Sequence, residues 1–192
     1  MIASALSAGF EWLYGLRLFA ALGALWAFRR SYRPLDWRFS WPGVAGGALI
    51  FAVWIGIDRW TGAAAASMPQ ALASAGAGAR TAWIVLRVLG GSLTVPIAEE
   101  LAFRGFLMRR FMDPDFEKIP FSYVRLWPAL LVSSVLFGMM HGSRWPAGIL
   151  AGLVFGWVAI RRDRIGEAVA AHAAANLLIA VYVLTQSAWQ LW

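Results

Sequence analysis

The sequence predicts an all-α protein, a polytopic transmembrane helix bundle of about six spans with its active site within the membrane. Three observations carry that prediction. The 192 residues are 60% hydrophobic and only 14% charged, with a mean hydropathy of +0.63, far more apolar than a soluble domain of ordinary composition. Basic residues and tryptophans gather at the ends of long apolar runs, where membrane interfaces place them. The run around Val95-Pro96-Ile97-Ala98-Glu99-Glu100-Leu101-Ala102-Phe103-Arg104-Gly105-Phe106 buries three ionisable groups, each costing about 2.5–3.5 kcal/mol in hydrocarbon unless paired or facing water.

The first span covers residues 5–28 and carries Glu11 and Arg17, which are too far apart for a helical i,i+4 pair. Arg17 is read as snorkelling or facing a partner helix. A basic loop, Arg29 to Arg38, follows. Trp41-Pro42 opens the second span, with proline in the first turn, where it is tolerated, and the span runs to Asp58-Arg59-Trp60. Residues 61–80, rich in Ala, Gly and Ser, predict a loop or a short interfacial helix. The third segment, 81–108, contains Arg87, Gly90-Gly91 and Pro96. It exceeds one straight span of about 30 Å, so a tilt or a kink near Pro96 is expected.

A mixed-charge loop spans Arg109 to Arg125. Trp127-Pro128 opens a fourth helix over residues 128–141, Trp145-Pro146 a fifth over 147–160, and the last span covers 166–185. The fourth and fifth helices are short, about 21 Å against a core near 30 Å, which predicts that their shared turn lies below the membrane surface beside a water-filled cavity. Gly148, Gly152 and Gly156 fit close helix packing at four-residue spacing.

Eleven of the 17 basic residues fall in the loops 29–40, 109–126 and 161–165. Arg59, Arg80 and Arg144 lie on the other side. The positive-inside rule then orients the first set toward the cytoplasm and both termini away from it. The basic residues therefore mark topology and no nucleic-acid partner is expected. The partners expected are the lipid bilayer and a membrane-anchored or lipidated protein or peptide substrate. The expected location is the cell membrane, as a multi-pass protein, with compact length and Ala, Trp and Arg usage favouring a bacterial inner membrane. Cysteine is absent, which removes disulfides and thiolate metal sites. No basic n-region precedes a short apolar core at the start, so the mature chain is expected to begin at residue 1. Residues 1–80 supply N-terminal helices and a loop, and 81–192 the catalytic helix core, in one integral membrane domain.

The chemistry-bearing residues are few. The only two histidines are His141, in Phe137-Gly138-Met139-Met140-His141, and His172, in His172-Ala173-Ala174-Ala175-Asn176. An i,i+4 spacing sets His172 and Asn176 on one helix face, and Glu100 and Arg104 on another. Glu99 projects about 100° from Glu100, so Glu100 can be held by Arg104 while Glu99 faces a cavity. A carboxylate helped by an imidazole can deprotonate water for attack on a carbonyl. A second imidazole and a carboxamide can stabilise the oxyanion.

Glu99-Glu100-x-x-x-Arg104, Phe137-x-x-x-His141 and His172-x-x-x-Asn176, in this order, resemble the three signature motifs of the CAAX-protease and bacteriocin-processing (Abi) family of intramembrane endopeptidases, over residues 82–186. The resemblance implies a membrane bundle of up to eight helices whose site opens toward the cytoplasmic half of the bilayer. It implies that Glu99 activates water with His141, that His172 and Asn176 stabilise the oxyanion, and that Glu100, Arg104 and Phe137 support them. No cofactor is expected. The chain has no His-Glu-x-x-His pair, but two histidines and a carboxylate leave a divalent metal open. The competing readings are a non-catalytic scaffold or immunity-type protein that keeps the site for folding, and a proton-coupled transporter, disfavoured by the lack of internal symmetry.

Overall fold

The computed structural model describes residues 13–62, 64–123 and 125–192. Among them the regular structure is helical: α1 (Tyr14–Ala27), α2 (Arg29–Tyr32), α3 (Trp41–Trp60), α4 (Gln70–Ala73), α5 (Ala77–Met108), α6 (Leu126–Met139), α7 (Trp145–Arg162) and α8 (Ile165–Gln186). Single 3₁₀ turns occupy Phe116–Lys118, Gly142–Arg144 and Trp189–Leu191. Among the described residues, four helical segments are long and apolar enough to cross a membrane: α3, α5, Gly142–Arg162 and α8. The apolar helices α1 and α6 are shorter, at 14 residues each. Glu11 and the start of the expected first span lie outside the described residues.

Large apolar side chains such as Phe19, Leu49, Leu131 and Val181 point outward. That pattern would aggregate in water and suits a hydrocarbon solvent.

The third segment begins at Ala77, earlier than its composition suggests, and runs unbroken to Met108. The accommodation expected at Pro96 takes the form of widened π-helical turns at Gly90–Thr94 and Leu101–Met108. Proline lacks an N–H and crowds the carbonyl four residues back, here that of Ser92. Widening the turn ahead of Pro96 relieves that crowding, and the flexible Gly90-Gly91 pair permits it.

Of the two short helices expected around the Gly142 turn, only α6 is short. The helix α7 has 18 residues, about 27 Å, because it continues through Arg161-Arg162 before Asp163 ends it in a left-handed conformation, φ 55°. Region 61–80 contains α4, whose fully buried Leu72 packs with Val183 and Trp189.

Small residues set the helix spacing. A methyl group on Gly152 would lie 2.9 Å from the Ser134 Cα, and one on Gly148 2.9 Å from the Gly138 Cα, so α6 and α7 touch backbone to backbone. Gly43 and Gly47 of α3 face Glu167 and Ala171 of α8 in the same way. Packing of this kind replaces the hydrophobic drive that lipid does not supply.

Each end of the bundle is tied by polar contacts. At the basic end, Asp36 pairs with Arg38 at 2.6 Å and Arg164 at 3.5 Å, and its carbonyl accepts from the Gly166 N–H at 3.1 Å. The Arg38 side-chain and backbone hydrogen bonds hold the Asp36 carboxyl down at about 2. At the opposite end, Arg144 pairs with Asp58 at 2.9 Å and donates to the Gln190 carbonyl at 2.8 Å.

Candidate active site

The buried polar cluster starts on α5. Helical i,i+4 spacing brings the Arg104 guanidinium to 3.1 Å from the Glu100 carboxylate, and both side chains are fully buried. Arg104 also donates to the Gly152 carbonyl at 2.8 Å. Its guanidinium lies 4.5 Å from the Phe137 ring centroid, with Phe103 and Phe155 farther out at 5.8 and 6.0 Å. A buried charge is tolerable when it is paired and its remaining surface meets aromatic faces.

From α8, His172 reaches across to the same carboxylate: Nδ1 lies 2.8 Å from Glu100 Oε1. Its other nitrogen, Nε2, lies 3.9 Å from Glu99 Oε2. The imidazole stacks on Phe155 at 4.9 Å and 19°. Because the carboxylate paired with Arg104 accepts, His172 Nδ1 carries a proton, and Nε2 is directed toward Glu99.

Glu99 differs from its neighbour. Its side chain is 28% exposed, it lines the cavity, and Oε2 has no hydrogen-bond partner. The 3.9 Å gap from this oxygen to His172 Nε2 exceeds a direct hydrogen bond.

His141 sits just beyond α6, where Gly142 turns the chain at φ 59°. Its Nδ1 donates to the Phe137 carbonyl at 2.8 Å, since a carbonyl can only accept, so a neutral His141 presents an unprotonated Nε2. Gly148 lets α7 pass against this ring, and Trp54 packs edge-on to it at 5.6 Å. Phe137 connects the site: its ring lies 4.7 Å from His141 and 5.7 Å from His172.

Asn176, one turn along α8 from His172, donates to the Gly91 carbonyl at 2.8 Å. Gly91 lies in the first π turn, so the widened helix and this amide are part of one arrangement. The amide thus has a structural bond to α5 and also borders the cavity.

Glu99, His141, His172 and Asn176, the four residues singled out as catalytic, all line one cavity of about 320 Å³, together with Phe137. Glu100 and Arg104 lie behind it, fully buried. The placement expected for the acidic pair is observed, with Glu100 on Arg104 and Glu99 at the cavity, and Glu100 also holds His172.

Other lining residues were not expected. Arg17, read from sequence as snorkelling or facing a partner helix, and Arg87 both line the cavity. Arg87 packs with its guanidinium 4.8 Å from the Tyr14 ring centroid and 5.9 Å from that of Trp192. Tyr14, Ile50 and Trp54 add wall from α1 and α3, so the first 80 residues shape the site. Ser92, whose buried hydroxyl has no hydrogen-bond partner, completes the wall beside Gly91. No sequence spacing announces these cross-helix neighbours, although an arginine inside a span is itself a functional signal.

Along α5 the lining runs from Glu99 back to Arg87, and along α8 from His172 on to Ala180. Both directions lead away from the basic loops. Among the described residues, no group of three or more His, Cys, Asp or Glu side chains is placed to hold a metal ion. The Nδ1 nitrogens of both histidines are committed to protein acceptors.

Residues 80–178 match the family model described as type II CAAX prenyl endopeptidase Rce1-like. No curated protein and no solved structure matches the chain.

Proposed function

The chain belongs to the Rce1-like family of type II CAAX prenyl endopeptidases, and from that premise we propose that it is a glutamate-type intramembrane endopeptidase with Glu99 as its general base. The substrate is a membrane-associated protein or peptide, as the family implies. The observation that carries the proposal is the contrast within the acidic pair. Glu100 is fully buried and takes both Arg104 and His172, whereas Glu99, one residue earlier, lines the cavity with its side chain 28% exposed.

In the reaction proposed, Glu99 takes a proton from a cavity water as that water attacks the carbonyl carbon of the scissile bond. The unprotonated Nε2 of His141 helps orient the water. The tetrahedral oxyanion accepts hydrogen bonds from Asn176 Nδ2, which has a second N–H beyond the one given to Gly91, and from His172 Nε2 when the ring is an imidazolium. The C–N bond then breaks, and Glu99 returns its proton to the departing amine. The Glu100–Arg104 pair keeps His172 in its rotamer throughout, as outer partners do for catalytic imidazoles. Water is activated by a carboxylate in this scheme, so activity should survive chelators.

The test uses the purified chain in nanodiscs with farnesyl-cysteine peptides, products being identified by mass spectrometry. Cleavage by wild type and by the loop variant Lys118→Ala, lost in Glu99→Gln and unaffected by EDTA, supports the reading. Cleavage unchanged in Glu99→Gln removes Glu99 as base, and activity abolished by EDTA and restored by a divalent cation removes the metal-free scheme.

A further inference from the structure

The basic end of the bundle carries a second hollow, of about 510 Å³, lined by Arg29, Arg30, Tyr32, Arg33 and Trp37. Helical spacing gathers its three guanidinium groups, since Arg33 follows Arg29 by four residues and Arg30 by three. Like charges one turn apart repel, and among the described residues no carboxylate lines the hollow. Asp36, the next acid along the chain, is already taken by Arg38 and Arg164.

The aromatic wall of this hollow is fixed in place. The Tyr32 hydroxyl donates to the Leu25 carbonyl. The Trp37 indole N–H donates to the Tyr32 carbonyl at 3.1 Å, and the two rings meet edge to face at 5.8 Å. Trp37 also packs against the main core, so the hollow lies where the α1–α2 arm joins the bundle. Arg29 lies over the Trp26 ring at 4.2 Å. Phe19, Leu22 and Trp26 are all exposed, and their spacing sets them on one face of α1. An apolar stripe therefore runs along α1 from the arginines into the hydrocarbon.

We propose that this hollow binds the headgroup of an anionic phospholipid, with the phosphodiester on Arg30 and Arg33 and the acyl chains along Phe19, Leu22 and Trp26. The proposal is independent of the endopeptidase reading. Guanidinium forks match the geometry of phosphate oxygens, and basic hollows beside membrane helices take anionic headgroups. A free phosphate ion offers the same oxygens, but only a lipid also covers the apolar stripe. A zwitterionic headgroup would bring a further cation to three arginines.

Competitive lipid retention tests this. The full chain in dodecyl maltoside is incubated with equal amounts of dioleoyl-phosphatidylglycerol and dioleoyl-phosphatidylcholine. Unbound lipid is removed by gel filtration, and the lipid kept by the protein is quantified by mass spectrometry. Wild type should keep phosphatidylglycerol over phosphatidylcholine by about tenfold or more. Arg30→Gln/Arg33→Gln should erase that preference. Arg161→Gln/Arg162→Gln, which removes the same charge from another basic loop, should leave it intact. Equal retention of the two lipids by wild type overturns the proposal, as does a preference that survives Arg30→Gln/Arg33→Gln. A preference lost equally in both double variants also overturns it, because net charge alone then explains the binding. Retention unchanged by millimolar inorganic phosphate in the column buffer supports the lipid. Loss of phosphatidylglycerol to phosphate overturns the lipid assignment in favour of a soluble phosphate anion. The wild-type comparison needs no variant, so misfolding cannot mask it.

Discussion

His172 donates its Nδ1 hydrogen bond, at 2.8 Å, to Glu100, the sealed member of the acidic pair. Glu99 lies 3.9 Å from the ring's other nitrogen. One imidazole therefore touches both carboxylates, anchored by one and directed at the other. Two adjacent glutamates meet different surroundings because a step of about 100° around the helix turns them apart.

That difference predicts different failures for the two isosteric changes. Glu100→Gln leaves Arg104 buried opposite a neutral amide, a loss of about 3–5 kcal/mol if it resembles other broken buried pairs. Thermal unfolding in detergent should fall sharply for Glu100→Gln and stay near wild type for Glu99→Gln. Similar melting for both would mean that Glu100 is not the structural member.

The close approach of α6 and α7 gives a second prediction. A Cβ at Gly152 would meet the Ser134 Cα at 2.9 Å, and the Gly152 carbonyl is an Arg104 acceptor. Gly152→Ala should destabilise by about 1–3 kcal/mol, the usual range for overpacking, and lower activity by displacing Arg104. Gly56→Ala on α3, where nothing lies within 4 Å, is the comparison and should melt near wild type. Matching melts for the two alanine variants would contradict this account of the interface.

Much of this site was legible in the sequence because helical spacing dictates it. Glu100–Arg104 follows from i,i+4 geometry, and so does the shared face of His172 and Asn176. What spacing cannot encode is contact between helices. Glu100 and His172 are 72 residues apart, and their bond depends on how α8 crosses α5. The cavity roles of Arg17, Arg87, Trp54 and Phe155 were hidden for the same reason. Pro96 announced a disturbance in α5, but whether a proline yields a kink or π turns depends on neighbours such as Asn176, which donates to the Gly91 carbonyl. Glu167, buried on α8 with Ser40 at 2.7 Å, also escaped notice, because its partner lies at the start of a different helix.

Cavity direction sets two sequence expectations against each other. The charge rule places the basic loops in the cytoplasm, yet the cavity extends from Glu99 away from those loops. The resemblance implies cytoplasmic opening. Because the chain has no cysteine, single cysteines can decide. With basic loops cytoplasmic, an impermeant thiol reagent applied outside intact cells should label Ile179→Cys and spare Lys118→Cys. The reverse pattern would invert the bundle and restore cytoplasmic opening.

Acid should weaken the loop clasp at the basic end. The Asp36 carboxyl is lowered from 3.8 to about 2 by its Arg38 hydrogen bonds, so its contribution is complete above the unfolded value and is lost as pH falls from about 3.8 through 2. Asp36→Asn should lower the melting temperature slightly at pH 6, with most of that difference gone near pH 2 and the pH 6 difference shrinking in high salt. A difference independent of pH would attribute the effect to packing.

The central claim is that Glu99 is the proton acceptor, and single-turnover cleavage tests it most directly. With a farnesyl-cysteine peptide pre-bound to equal amounts of folded enzyme, Glu99→Gln should slow the chemical step by about 10²–10⁴-fold, the usual worth of a general base, while peptide affinity and melting temperature stay near wild type. A chemical step within about threefold of wild type would contradict the account and move the base elsewhere in the cavity.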